Sequence, residues 1–138
     1  MDDTSAALLL DIVERAMHCA RSEWLFLREL RVGTGRRNGN AQRLDAFALN
    51  SLPHTAMKRV CYEVKTSRVD FLGELKHPLK RRMGMRYSNE FYFVTPARLV
   101  EIAEIPAECG LIEAFSFDPG PRQYCLIAVP APVSRAGG

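Results

Sequence analysis

The chain has 138 residues, 47% of them hydrophobic and 25% charged, and its formal net charge is +3. These values are typical of globular proteins and exclude wholesale disorder, and the length predicts one domain over residues 1–130 with a flexible tail over residues 131–138. No apolar run approaches the roughly 18 residues of a membrane span, and the acidic start Met1-Asp2-Asp3 argues against a secretory signal, so we expect a cytoplasmic protein with no membrane partner.

The cysteines and histidines show no metal-binding or catalytic spacing. No cysteine stands in a CxxC pair, and the gaps between cysteines fit no zinc site. We expect small buried side chains in a reducing compartment at Cys19, Cys61, Cys109 and Cys125. The histidines have no HExxH or HxH spacing, which favours surface positions for His18, His54 and His77.

The first half of the chain predicts one helix and three strands. Residues 4–21 intersperse apolar and charged side chains as an amphipathic helix does. Residues 24–32 favour a strand, and the glycine-rich polar residues 33–40 predict a loop. Two alternating segments, 43–49 and 59–65, predict the next strands.

Alternation also assigns side chains to the two faces of these strands. Leu44, Ala46 and Ala48 are expected on one face, with Asp45 on the other. In the next strand Val60, Tyr62 and Val64 are expected on one face, and Cys61, Glu63 and Lys65 on the opposite one.

The second half predicts two helical pieces, a strand and a hairpin. Ser67 with Asp70 fits a capping box that opens a helix through Leu75, and Pro78 can start a second helical piece. The later segments predict a strand at 90–95, a helical turn at 97–100, and a hairpin of residues 110–117 and 122–129. The order predicts an α/β fold in which a mixed β-sheet is flanked by helices.

Two carboxylates and a lysine stand out as a possible reactive group. Glu63 and Lys65 are two residues apart on one strand and share a face, and Asp45 on the preceding strand can face the same way. Two carboxylates that converge at a strand end suit Mg²⁺, and a nearby lysine can orient water or stabilise charge on a phosphate. Burying these charges together without a function is costly.

Asp followed by Glu-x-Lys on consecutive strands resembles the PD-(D/E)xK nuclease superfamily, and the element order resembles its restriction-endonuclease-like core. Over residues 24–115 the chain looks like the small MmcB-like DNA-repair nucleases and related phage proteins. The segments that carry this likeness are Arg43-Leu-Asp-Ala46, Tyr62-Glu-Val-Lys-Thr-Ser-Arg-Val-Asp-Phe71, Phe91-Tyr-Phe-Val94, Ile105-Pro106 and Cys109-Gly-Leu-Ile112. Leu44 stands where the motif's name has proline.

The resemblance implies a Mg²⁺-dependent deoxyribonuclease, with Mn²⁺ as a substitute, in DNA repair, recombination or phage DNA processing. It implies that Asp45, Glu63 and the main-chain carbonyl of Val64 bind the metal and that Lys65 positions the attacking water. A further glutamate often comes from the first helix in this superfamily. Glu14 is the candidate for that ligand, with Glu29 on the first strand as a second.

The charge distribution indicates a nucleic-acid partner. Residues 28–86 hold 14 basic and 5 acidic residues, and the remainder holds 5 basic and 11 acidic residues. A basic middle suggests a face that meets phosphates, although a solvated basic surface remains an alternative. The candidate DNA contacts are Arg36, Arg37, Arg68, Lys76, Lys80, Arg81 and Arg82.

Several alternatives stay open at this point. The chain could be a catalytically silent nucleic-acid-binding module of the same fold, or an anion-binding or protein-interaction domain that uses the same basic face. Ser67 and Asp70 could act in catalysis rather than as a helix cap. A chain this small often needs a second copy to span a duplex, which leaves a homodimer open.

Overall fold

The computed structural model describes residues 3–32, 42–55, 57–116 and 123–133. Its helices are α1 (Asp3–Met17), α2 (Arg68–Leu75) and α3 (Pro78–Arg86). Its strands are β1 (Trp24–Val32), β2 (Gln42–Asn50), β3 (Arg59–Val64), β4 (Glu90–Pro96), β5 (Gly110–Ser116) and β6 (Gln123–Val129). Short 3₁₀ turns lie at Pro53–Thr55 and Ile102–Glu104.

In the described residues the six strands form one mixed sheet whose spatial order follows the chain, from β1 to β6. Antiparallel pairing joins β1 to β2, β2 to β3, and β5 to β6. The β3–β4 and β4–β5 pairs are parallel. The predicted α/β class, a mixed sheet flanked by helices, is confirmed.

Each face of the sheet has its own hydrophobic core. Leu9, Ile12 and Val13 of α1 pack against one face, on Tyr62, Tyr92 and their neighbours. Phe71 of α2 packs against the other face, and its ring meets Phe93 at 5.4 Å between centroids in a T-shaped contact. The alternation of β3 produces this division, because Val60 and Tyr62 face α1 whereas Cys61 faces α2.

Gly84 of α3 lets that helix approach the sheet closely. A Cβ atom at this position would lie 3.0 Å from the Cys61 sulfur and 3.1 Å from the ring of Phe91. The close approach of α3 follows from the missing side chain.

The prediction for β2 was wrong at Leu44. Leu44 packs with Phe47 against the α2 face, whereas Ala46 and Ala48 face α1. The β1–β2 ladder is interrupted at the same place, because no pair joins the Arg28–Ala46 and Leu30–Leu44 pairs where Glu29 adopts φ 54°. The strict alternation expected of a regular strand therefore does not hold across this point.

Two other element boundaries differ from the prediction. The first helix ends at Met17 rather than at residue 21, because the buried ring of His18 lies against Trp24 and turns the chain into β1. Residues 97–100 form a hydrogen-bonded turn instead of helix, with Arg98 at φ 65°. Positive φ is incompatible with a right-handed helical turn.

Three side chains differ from the expected burial. His18 is buried rather than on the surface, and its Nε2 lies 2.5 Å from the Tyr62 hydroxyl oxygen. Cys19 is exposed, whereas Cys61 and Cys109 are buried as expected, and these cysteines are not in disulfides. In the segment predicted as a tail, Ala131 is buried and its N–H donates to the Tyr92 hydroxyl at 3.1 Å.

No helix in the described part of the chain combines the length and apolar character needed to cross a bilayer. The predicted loop at 33–40, with Arg36 and Arg37, lies outside the described residues.

Candidate active site at the end of β3

A cleft of about 910 Å³ opens where β3 ends. Helix α1 forms an apolar wall, β1 and β2 contribute charged side chains, the end of β3 contributes three further residues, and α2 and α3 contribute one residue each. The lining residues are Ala6, Ala7, Leu10, Arg28, Glu29, Arg43, Asp45, Glu63, Val64, Lys65, Asp70 and Lys80. The three residues singled out in the sequence, Asp45, Glu63 and Lys65, therefore lie in one cleft.

Asp45 is fixed by the backbone of β3. Its Oδ2 accepts a hydrogen bond from the Val64 N–H at 2.8 Å. The regular β2–β3 pairing reaches only to Ala46 and Tyr62, so the carboxylate satisfies an N–H that the ladder does not. On a strand the N–H and C=O of one residue point to the same side, so the Val64 carbonyl is also directed toward Asp45.

Glu63 and Lys65 form an ion pair inside the cleft. Lys65 Nζ lies 3.3 Å from Glu63 Oε2, and the two side chains are only 11% and 13% exposed. Burial and the negative charge of Asp45 raise the pKa of Glu63 to about 8, against the opposing effect of Lys65. Burial alone would lower the pKa of Lys65, but the carboxylates of Glu63 and Glu74 raise it. A negative charge on Glu63 is therefore disfavoured by burial and by Asp45, whereas the positive charge of Lys65 is favoured.

The sequence analysis missed Glu74. Its side chain is 2% exposed, and Oε1 lies 3.1 Å from Lys65 Nζ and 3.6 Å from Lys80 Nζ. The available signal was its spacing from Phe71, since residues three apart share a face of a helix. Phe71 is an obvious core residue, so Glu74 had to point inward as well.

Ser67 caps α2, as predicted. The Ser67 hydroxyl accepts a hydrogen bond from the Asp70 N–H at 3.2 Å. Asp70 itself also lines the cleft. Arg43 lines it too, with NH1 3.7 Å from Glu29 Oε1 in an exposed pair.

The structure separates the predicted DNA contacts into different environments. Lys80 of α3 lines the cleft, Arg82 is exposed on the same helix, and Lys76 is exposed just after the end of α2. Arg68 is exposed, but its guanidinium binds both carboxylate oxygens of Glu104, at 3.0 and 2.7 Å. That ion pair lowers the pKa of Glu104 to about 2.

The burial of Arg81 contradicts the prediction that this residue contacts DNA. Its NH1 donates to the Glu74 carbonyl at 3.0 Å, and its guanidinium lies 5.9 Å from the centre of the Phe93 ring. Helical periodicity explains this, since α3 must turn one side of its basic run toward the sheet. Arg81 is therefore a structural contact between α2 and α3 and is not available to a phosphate.

Glu14, proposed as an upstream metal ligand, does not line the cleft. Its carboxylate lies 3.0 Å from the Arg28 guanidinium, which also binds Asp11 at 2.7 Å. Glu29 does line the cleft, with its side chain 73% exposed. In the described residues no group of three or more His, Cys, Asp or Glu side chains is arranged to hold a metal ion.

Comparisons with known proteins establish the fold alone. No family model matches the chain, and no curated protein matches it. A solved structure of a protein of unknown function from Silicibacter pomeroyi is similar, with a TM-score of 0.63 and 19% sequence identity. The match covers 93% of this chain and 72% of that one. At this identity the similarity shows a shared fold and gives no information about activity.

The donor set fits a small divalent cation. Asp45 and Glu63 both line the cleft and offer two carboxylates, and a cation beside them would favour the ionised form of Glu63. Mg²⁺ typically takes one or two carboxylates, water and substrate phosphate rather than a full protein cage. Asp45, Glu63 and the Val64 carbonyl would therefore be enough protein ligands for Mg²⁺, and a third acid is not required.

Proposed function

We propose that the chain is a metal-dependent nuclease that hydrolyses DNA phosphodiester bonds, in the manner of the PD-(D/E)xK superfamily. In this proposal the protein acts in the cytoplasm, in DNA repair, in recombination or in the processing of phage DNA. The observation that carries the proposal is the meeting of Asp45, Glu63 and Lys65 in one cleft with Lys80 and Arg43 at its edge.

The acidic side of the cleft would hold the metal. Asp45, Glu63 and the Val64 carbonyl are the ligands, and a divalent cation there supplies a Lewis acid that activates water and neutralises charge on the scissile phosphate. The hydrogen bond from Val64 fixes the Asp45 carboxylate before any ligand arrives. Such preorganisation avoids the cost of ordering the site during the reaction.

Lys65 works on the reacting groups from the other side. Its ammonium group donates hydrogen bonds and is held next to Glu63. In this place it orients the attacking water and stabilises the negative charge that develops on the phosphate oxygens. A cation that is largely withdrawn from water exerts a stronger effect on that charge than an exposed one.

The basic residues around the cleft would hold the DNA backbone. Lys80 and Arg43 line the cleft, and Lys76 and Arg82 extend the positive surface along α2 and α3. Such contacts bind phosphates without regard to base sequence and weaken as salt rises. The proposal therefore includes DNA recognition by structure rather than by sequence.

The test is a cleavage panel on the purified chain. Labelled single strands, flaps, junctions and duplex ends are incubated with Mg²⁺, with Mn²⁺ and with EDTA, alongside Glu63→Gln as the matched control. We expect metal-dependent cleavage of at least one substrate by the wild type and loss of cleavage in Glu63→Gln. If every DNA stays whole with either metal, the nuclease proposal is wrong.

The same panel identifies the second candidate. Lys65 contacts the carboxylates of both Glu63 and Glu74, and such a pairing could also serve the stability of a catalytically inactive protein with the same fold. A catalytically inactive nucleic-acid-binding module would retard DNA on a gel and leave it intact. An anion-binding or protein-interaction domain would show no salt-dependent affinity for DNA.

A further inference from the structure

The inference concerns Glu74, which is buried on the inward side of α2, and it rests on the proposed function. Its carboxylate is withdrawn from water, with the side chain 2% exposed, yet it remains next to two ammonium groups. Burying an unpaired carboxylate is costly, so the neighbouring lysines balance its charge. Glu74 is a third acid near the cleft, but it does not line the cleft.

Lys65 lies between two carboxylates that differ in role. Glu63, 3.3 Å from Lys65 Nζ, is the residue proposed to bind the cation, so its oxygens are shared. Glu74, 3.1 Å from the same nitrogen, is the partner that belongs to another element of the fold. The Glu74 contact therefore determines the position of the ammonium group independently of metal binding.

Glu74 is itself firmly placed. Arg81 donates to the Glu74 main-chain carbonyl at 3.0 Å, which joins α2 to α3. One turn earlier, Phe71 is fully buried against Phe93. A group held by packing and by a second layer of hydrogen bonds can set the position of its partner to within a fraction of an ångström.

We propose that Glu74 is a positioning residue for Lys65, which it holds in the cleft at the place where the phosphate and attacking water meet. Lys80 Nζ, 3.6 Å from the same Oε1, is drawn toward the cleft by the same carboxylate. The primary action is on Lys65, because that lysine is nearly buried whereas Lys80 is 53% exposed.

The kinetic test is a double-mutant cycle on the full chain. Glu74→Gln keeps the shape of the side chain and removes its charge, so we expect kcat to fall by about 10²-fold while the affinity for DNA changes little. In the Lys65→Met background the same substitution should have almost no further effect. An equal loss of kcat in both backgrounds would overturn the proposal, because a general structural defect does not depend on Lys65.

The matched controls separate Glu74 from its neighbours. Glu108→Gln removes the exposed partner of Arg81, 3.8 Å away and outside the cleft, and should leave kcat unchanged. Glu74→Asp retains the charge on a shorter side chain and should recover part of the lost rate. This variant also keeps the cycle readable if Glu74→Gln does not fold. Glu74→Asp should lower kcat only while Lys65 is present, so an equal fold-loss of the residual rate in the Lys65→Met background would contradict the proposal.

A second measurement does not depend on nuclease activity. Lysine acetylation by a small anhydride is followed at each site by mass spectrometry, with exposed Lys76 as the internal reference. Lys65 should react slowly in the wild type and several-fold faster in Glu74→Gln, because the ammonium group loses its anchor. Unchanged labelling in Glu74→Gln would overturn the positioning role. Faster labelling in Glu74→Gln, together with a wild type that cuts no DNA, would reject only the nuclease function.

Discussion

The Asp45 carboxylate accepts a hydrogen bond from the Val64 N–H, at a place where the carbonyl of a neighbouring strand would ordinarily accept it. The two groups lie 2.8 Å apart, just beyond the last regular pair between β2 and β3. An acid that completes a backbone ladder cannot rotate freely, so its position relative to Glu63 is fixed by the sheet.

The first prediction separates the structural and chemical roles of Asp45. Asp45→Asn keeps an oxygen for the Val64 N–H and relieves the repulsion of Glu63, so the melting temperature should be unchanged or higher. Metal binding and cleavage should be lost. Asp45→Ala should in addition lose about 1 kcal/mol of stability, the net value of one hydrogen bond. Calorimetric titration with Mn²⁺, thermal melting and cleavage measure the three effects, and wild-type cutting by Asp45→Asn would refute the assignment.

The second prediction divides the basic run of α3. Lys80→Ala with Arg82→Ala should weaken DNA binding on all sequences and flatten the plot of log affinity against log salt by roughly 0.9 per lost phosphate contact on duplex DNA. Arg21→Ala, which removes an exposed arginine in the turn between α1 and β1, is the control and should leave the slope unchanged. An unaltered slope in the double variant would mean that DNA binds at another surface of the protein.

Arg81→Ala should behave differently from its neighbours. The buried guanidinium satisfies the Glu74 carbonyl and packs on Phe93, so its removal should cost about 1–3 kcal/mol of unfolding free energy. Below the melting transition the salt slope of DNA binding should stay that of the wild type. Urea denaturation measures the stability, and a flattened slope in the folded variant would return Arg81 to the DNA surface.

The third prediction concerns the helix cap next to Lys65. Ser67→Ala removes the acceptor of the Asp70 N–H and should lower stability by about 1 kcal/mol, or a few degrees of melting temperature. Cleavage below that temperature should fall only modestly, and Ser22→Ala provides an exposed-serine control. A stable Ser67→Ala protein with about 10²-fold slower cleavage would show a direct role in the reaction instead.

The fourth prediction uses His18 to set a pH dependence of stability. Burial, aided by the charge of Lys58, lowers the pKa of His18 to about 4. The unfolded chain therefore takes up the proton first, near pH 6.5, so the contribution of His18 is complete above pH 6.5 and is lost as the pH falls through 4. His18→Gln should be less stable at neutral pH and lose less on acidification than the wild type.

Exposed His54 offers the matched control for that measurement. His54→Gln should follow the wild-type dependence of unfolding free energy on pH between 6.5 and 4. If His18→Gln follows it as well, the buried histidine does not contribute to acid sensitivity.

The parts of the fold that local patterns determine were predictable. The alternation of β3 assigned Tyr62 and Cys61 to their cores, and Ser67 marked the start of α2. These features depend on residues close in the sequence. Leu44 was assigned to the wrong face because the interruption of the β1–β2 ladder beside Glu29 leaves no signal in the amino-acid pattern of β2.

Three buried polar residues mark where the sequence was insufficient for the site. His18, Glu74 and Arg81 belong to residue types that are usually exposed, so a prediction from type alone places them on the surface. Their burial depends on partners far along the chain or across a helix pair, as with His18 and Tyr62. The pairing of Glu74 with Lys65 follows only once α2 is packed on the sheet.

The sheet whose spatial order repeats the order of the chain has a consequence for how the protein is made. Each strand of the described sheet pairs with one that has already left the ribosome, so the sheet can grow by one edge during synthesis without a strand being inserted between others. The exception is the contact of α1 with β6, where Arg15 binds Gln123. The contacts of α1 with β6 can form only after β6 has been made, so the apolar wall that α1 gives the cleft is completed later than the β1–β2 pairing beside it.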